Sequence, residues 1–208
     1  MRQLWVAGVV ALMLAACGQG ADGPALPPMK AGATPPSTQS PASGTQQTEV
    51  TDEVRQQLIQ MIGTQLGQLQ SANAPSHSPV GNDTIVPMQP GHDHRFVIDL
   101  NGGTEYGFIG ACDGDCTNVD LELIDMSTGG VVANDMLPDD YPIFGFTPPA
   151  SGQYMVRLLM QACSQAPCYA GARVVSNAPS AAPQAPPAGG DATTTPPTTG
   201  GGSTPGKP

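Results

Sequence analysis

Alternating apolar and polar positions predict a series of short strands between residues 80 and 176. Val119, Leu121 and Leu123 alternate with Asp120 and Glu122, as in a strand with one buried and one solvated face. Six other runs of similar length are separated by Gly- and Pro-containing turns, at 95–100, 105–111, 131–135, 141–147, 153–162 and 169–175. Short, evenly spaced strands predict an all-β fold, an antiparallel β-sandwich of about seven to eight strands.

A period of three and four residues replaces the alternation in residues 51–72 and predicts one amphipathic helix. Thr51 can cap its first amides, and Pro75 and Pro79 follow its end. The apolar stripe consists of Val54, Leu58, Met61, Ile62, Leu66 and Leu69. Two interpretations remain open at this point. The helix either packs on the sandwich or binds a partner, which could be a second copy of the chain.

The N-terminus has the features of an export signal. Arg2 precedes the apolar run 4–14, which is too short to cross a bilayer as a helix. Leu14-Ala15-Ala16-Cys17 resembles the bacterial lipoprotein signal box. The resemblance implies that residues 1–16 are removed and that Cys17 carries the lipid, a palmitate-type anchor. The alternative is an ordinary cleaved signal whose Cys17 joins a disulfide. Gly18 after the cysteine resembles an outer-membrane sorting choice.

Two flanking segments lack any hydrophobic period. Residues 17–47 and 177–208 are rich in Pro, Gly, Ser and Thr. The whole chain of 208 residues contains 26 Gly and 23 Pro. Such segments do not bury enough apolar surface to offset the entropy lost on ordering. We therefore predict a disordered tether that lifts the module off the membrane, and a disordered tail.

Charge and cysteine content narrow the class of protein. Lys and Arg number 7 against 17 Asp and Glu, a net charge of −10, which argues against nucleic-acid binding. Aromatic residues make up only 4%, so the predicted core is small and aliphatic. An exported chain enters an oxidising compartment. Five cysteines minus a lipidated Cys17 leave four, an even number that suits disulfides.

The sandwich region also resembles a known family. Asp120-Leu-Glu-Leu, the run Phe146–Arg157 and the closing Tyr169 are similar to the bacterial pre-peptidase C-terminal domain. This resemblance covers residues 80–176 and implies a jelly-roll-like β-sandwich. The sequence departs from the family's usual context in two respects: we expect no attached peptidase, and two cysteine pairs are added.

The four cysteines allow three pairings. We expect the local bonds Cys112–Cys116 and Cys163–Cys168, which would close small loops inserted into the family's pattern. If consecutive strands alternate in direction, both cysteine loops lie at one end of the sandwich. Crossed pairs are therefore also permitted.

The same alternation places the acidic loops at that end. Ca²⁺ is bound by six to eight oxygen atoms, and the carboxylates expected there are Asp113, Asp115, Asp120, Asp135, Asp139 and Asp140. One hypothesis is a structural Ca²⁺ held by a subset of Asp113, Asp115, Asp120, Asp139 and Asp140. The alternative is a solvated acidic rim. His92 and His94 lie beside Asp93 but have no evident third ligand.

No catalytic motif is present, and Ser151 lies in a turn without a base beside it. We therefore expect no enzyme. The sequence favours a membrane-anchored envelope lipoprotein whose sandwich is a structural or protein-interaction module. The alternative is a Ca²⁺-dependent module that binds a carbohydrate or protein ligand. The expected partners are the membrane, through the anchor, and an envelope protein or polysaccharide.

Overall fold

The computed structural model describes residues 21–39 and 44–178. The predicted signal peptide, Cys17 and most of the predicted tail lie outside these residues. Within these residues, one helix and twelve strands follow one another in the order β1 Ala21–Asp22, β2 Gln46–Gln47, α1 Asp52–Asn73, β3 Ser78–Pro79, β4 Thr84–Met88, β5 Asp93–Leu100, β6 Tyr106–Cys112, β7 Cys116–Asp125, β8 Gly130–Asp135, β9 Ile143–Phe146, β10 Gly152–Cys163, β11 Gln165–Ala166 and β12 Cys168–Ser176.

Two five-stranded sheets form the predicted sandwich. Sheet I has the order β1-β5-β10-β7-β8, and sheet II has the order β3-β12-β6-β9 with β4 also paired to β12. The long strands pair antiparallel throughout. In the described part of the chain, each parallel pair includes a two-residue strand: β1 pairs with β5, and β2 pairs with β11. The predicted all-β, antiparallel fold is confirmed.

The core between the sheets is formed by alternate residues of each strand. On β7 these are Val119, Leu121 and Leu123, and on the neighbouring strand β10 Val156 and Leu158 lie beside them. Phe108 stacks on Phe144 with ring centroids 5.0 Å apart. Most of the remaining core is aliphatic, as the low aromatic content predicts.

Helix α1 packs on the outer face of sheet II, so the first of the two interpretations applies. The Thr51 side chain accepts a hydrogen bond from the Val54 N–H, as the predicted N-cap. Ile62 and Leu66 are fully buried against a cluster that includes Ile109, Tyr169 and Val175. The predicted stripe is only partly correct, because Val54 and Met61 are exposed and Ile59 packs instead.

Residues 21–39 form an N-terminal strap across the outer face of sheet I. Ala21 and Asp22 pair with Asp93 and His94. Further along, the Lys30 N–H donates to the Thr128 carbonyl, and the Thr34 carbonyl accepts from Val131. This corrects the prediction of a disordered tether for residues 21–39. The segment has no apolar period, yet the sheet supplies partners for its backbone groups.

The strap also buries polar residues on the outer face of sheet I. The alternation in β7 predicted a solvated face bearing Asp120 and Glu122. In the structure both are buried, at 2% and 0% exposure, and the neighbouring Ile124, Met155 and Leu159 are fully buried. This part of sheet I is therefore buried on both faces, because the strap, a segment distant in sequence, lies over its outer face.

Candidate functional site

One end of the sandwich brings together the cysteine loops and most of the predicted acidic residues. Disulfides join Cys112 to Cys116 and Cys163 to Cys168, so the local pairing is confirmed. Cys163 lies opposite Cys116 across the β10–β7 ladder. The two loops therefore share an end, although they are not cross-linked to each other.

Carboxylates at this end bind nearby backbone amides. Asp113 is buried and accepts from the amides of Tyr169 at 2.7 Å and Asp115 at 3.3 Å. Asp139 accepts from the Tyr141 amide at 3.1 Å. Asp135 accepts from two further amides, those of Leu137 and Ile143. These carboxylates bind different backbone amides, so they do not converge on one position.

Asp120 has a different environment. It alternates with core residues on β7, so its side chain lies on the outer face of sheet I beneath the strap. One carboxylate oxygen accepts from the Gln161 amide group at 2.6 Å. The other oxygen and the Asn118 side-chain oxygen are the two buried side-chain atoms without a hydrogen-bond partner in the described residues. Burial, together with Glu122, Asp135 and Asp139 nearby, raises the pKa of Asp120 to about 6.

The predicted Ca²⁺ site is not formed by these residues. Within 21–39 and 44–178, no three His, Cys, Asp or Glu side chains are grouped so that they could hold a metal ion. Asp113 and Asp140 border a groove, Asp115 accepts from Gln165, and Asp120 lies under the strap. Sharing an end of the sandwich did not bring the carboxylates into one coordination shell.

A buried ionic network lies under the strap. Arg157 bridges Asp93 and Glu122, with 2.9 Å between its Nη1 and Glu122 Oε2. The same nitrogen donates to the Ser37 carbonyl at 2.8 Å, and the Ser37 N–H donates back to Glu122 Oε1 at 2.9 Å. Arg95 makes a bidentate contact with Asp93. The strap thus completes the hydrogen bonding of charges that the sheet buries.

A groove of about 640 Å³ lies on the opposite side of the sandwich, between α1 and the first cysteine loop. The helix wall carries glutamines, one threonine and the exposed Met61, while the other wall is formed by 112–114 and Asp140. The disulfide at Cys112 closes one edge. The groove is therefore lined by neutral amide side chains and bordered by two aspartates, and its cysteine is joined in a disulfide.

Three further sequence candidates have structural explanations or lie outside the described residues. The Ser151 hydroxyl accepts from the Gly102 N–H at 2.9 Å, as expected for a turn serine. The backbone carbonyl of His92 accepts from the buried Gln39 amide, which holds the end of the strap. Cys17, the predicted lipidation site, lies outside the described residues.

The residues that connect distant segments are not apparent from the sequence pattern. The pattern assigns Ser37 to the predicted tether, and Arg157 belongs to a predicted strand motif. Asn118 lies two residues before Asp120, and an i, i+2 pair on one strand face was a usable signal. For Ser37 no local signal existed.

Comparisons with known proteins add little to this description. No protein-family model matches the chain, and no curated protein does. Among solved structures, the periplasmic inhibitor of g-type lysozyme, PliG, from Aeromonas hydrophila is similar at 10% identity with a TM-score of 0.30, covering 48% of this chain and 85% of its own. This distant likeness carries no argument about function. Within the described residues, no helix has the length and apolar character needed for a membrane crossing.

Proposed function

We propose that this chain is a non-catalytic, lipid-anchored lipoprotein of the bacterial envelope, sorted to the outer membrane. Its β-sandwich, which we propose to be similar to the pre-peptidase C-terminal domain, acts as a protein-interaction module. The α1 groove is the interaction site. The anchor rests on the sequence at Leu14–Cys17, and the interaction role rests on the groove.

The groove's chemistry is the observation that carries the interaction role. Its helix wall presents the side chains of Gln57, Gln60, Thr64, Gln65 and Gln68. Amide groups donate and accept hydrogen bonds but neither act as nucleophiles nor transfer protons near neutral pH. The one cysteine among the described lining residues, Cys112, is joined to Cys116 in a disulfide. Such a groove suits recognition of a polar segment rather than a reaction.

Asp113 and Asp140 border the opposite wall. No aromatic side chain of the described residues lines the groove, so these residues provide no stacking platform for a ligand. A peptide segment, whose backbone pairs with amide side chains, fits this lining better than a polysaccharide does. We therefore place an envelope protein before a polysaccharide as the partner.

Site-specific photo-cross-linking tests the interaction role in cells. A photoreactive amino acid at Gln57 or Gln68 is expected to give one cross-linked protein band of the same mass from both positions. The matched position is Val132, which is exposed on sheet I. Equal cross-linking from Val132 would contradict a partner bound specifically at the groove.

The lipid anchor is tested separately with Cys17→Ser. An alkyne-labelled palmitate should label the wild-type chain and not this variant, and the variant should leave the membrane fraction. Density separation of inner and outer membranes checks the proposed sorting. Labelling that persists in Cys17→Ser would remove the anchor from the proposal while leaving the groove untouched.

A further inference from the structure

The outward side of the strap exposes apolar residues. Leu26 is 37% exposed and Met29 is 50% exposed, within the uncharged run 23–29. Two prolines separate these side chains, which restricts the backbone between them. Hydrogen bonds at both ends of this run, from Arg95 to the Pro24 carbonyl and from the Lys30 N–H to Thr128, hold it on the sheet.

The strap has no net charge, although the protein as a whole is acidic. Residues 21–39 contain one acid, Asp22, and one base, Lys30, so their net charge is zero. Residues 44–178 contain fifteen Asp and Glu against four Arg, a net charge of −11. Beneath the strap, the carboxylates of Asp93 and Glu122 are paired with guanidinium groups. A surface of anionic lipids would repel the rest of the module far more than it would repel this face.

The chain connects this face to the proposed anchor by a short segment. Cys17 precedes Ala21 by four residues, a span of at most about 14 Å when fully extended. Ala21 is itself paired to the edge of sheet I. A lipid on Cys17 would therefore hold the strap close to the bilayer, whereas a 30-residue tether would not.

We propose that the strap face, defined by Leu26, Met29 and Lys30, lies on the surface of the lipid bilayer. This inference rests on the proposed lipid anchor and adds an orientation to it. Apolar side chains next to a basic residue are the combination that binds at a membrane interface. With sheet I toward the lipid, the α1 groove on sheet II faces away from the membrane and toward a partner.

Single-tryptophan fluorescence tests the orientation. In a Trp5→Phe background the sequence has no other tryptophan. Met29→Trp places the probe on the strap. Met61→Trp is a matched control, because Met61 is 46% exposed on α1 at the opposite side of the sandwich. The lipidated full-length chain is reconstituted in phosphatidylcholine vesicles containing phosphatidylglycerol and a lipid with a quencher near its headgroup.

The expected result is about twofold more quenching of Met29→Trp than of Met61→Trp, with a blue-shifted emission at position 29 alone. Equal quenching, or stronger quenching at position 61, would overturn the orientation. Flotation of the same vesicles reports on the anchor independently. Protein that floats without quenching at position 29 refutes only the orientation, and protein that does not float refutes both proposals. Thermal melts by circular dichroism confirm that both variants are folded.

Discussion

Ser37 donates its backbone N–H to the Oε1 atom of Glu122 over 2.9 Å, although the two residues lie 85 positions apart in the chain. Glu122 is fully buried, and its other oxygen binds Arg157. The strap therefore satisfies a carboxylate that the sheet alone would leave exposed to water. This contact makes the segment after the proposed lipid anchor a part of the folded module.

We expect the strap to detach more easily from the sheet when the Ser37 N–H is removed. Ser37→Pro removes the N–H donor to a buried carboxylate, which costs about 1–3 kcal/mol when no replacement is found. We expect trypsin to cut after Lys30 faster in this variant than in the wild type. Ser37→Ala keeps the backbone N–H and serves as the control. Fast cleavage of the wild type at Lys30 would indicate that the strap does not stay on the sheet.

Arg157 is predicted to be the most sensitive charged residue. Arg157→Met leaves Asp93 and Glu122 buried with less compensation, and breaking a buried pair in this way costs about 3–5 kcal/mol. Urea unfolding followed by circular dichroism measures the loss. Asp52→Asn is the control, because the Arg55–Asp52 pair is exposed and its loss should change stability little. Similar midpoints for both variants would contradict a structural role for the network.

We expect the stability of the fold to depend on pH through the ionisation of Asp120. Burial raises the pKa of Asp120 to about 6 in the folded protein, from an ordinary value of 3.8. The folded state therefore binds this proton more tightly, and ionisation of Asp120 destabilises the fold. Its contribution to stability increases as the pH falls from about 7 to about 4, by about 3 kcal/mol at most.

The variant that tests this is Asp120→Asn. Its amide oxygen can accept from Gln161, as the carboxylate does, without placing a charge in this buried position. Asp120→Asn should be more stable than the wild type at pH 7.5, and the difference should vanish near pH 4. Asp52→Asn, on the exposed first turn of α1, should show no such trend. A difference that is constant across pH would refute the prediction.

Gly171 is predicted to set the distance between α1 and sheet II. A Cβ at this position would lie 2.8 Å from Ile62 Cγ2 and 3.0 Å from Ile85 Cγ1. Gly171→Ala should therefore displace the helix and cost about 1–3 kcal/mol. Gly145→Ala is the matched control in the same sheet, since its nearest neighbour would be 3.8 Å away. Thermal melts compare the two variants, and equal melting points would show that the contact is not tight.

The disulfide pairing predicts which thiol a single substitution releases. Cys116→Ala should leave Cys112 free for alkylation and keep the Cys163–Cys168 bond, as peptide mass mapping would show. Loss of a cross-link that closes five residues costs about 2 kcal/mol in the chain-entropy treatment. Alkylation of Cys163 or Cys168 in this variant would indicate crossed pairing.

Sequence by itself determined the elements formed by local forces. The period of two predicted the long strands, the period of three and four predicted α1 to within one residue at either end, and Thr51 predicted its cap. The small loops favoured the local cysteine pairs. These features depend on neighbours along one strand, one helix or one loop, so the pattern of nearby residues contains them.

Only the tertiary structure decided which side chains meet. The strap has no period because its backbone bonds to a sheet formed about sixty or more residues later, and no local pattern encodes that pairing. Asp120 and Glu122 alternate as on a wet face, but a distant segment covers them. The acidic loops share an end, as strand direction requires, yet their carboxylates bind different backbone amides and glutamine side chains. Long-range contacts fix these outcomes, because a buried polar group is stable only where another segment supplies its partner.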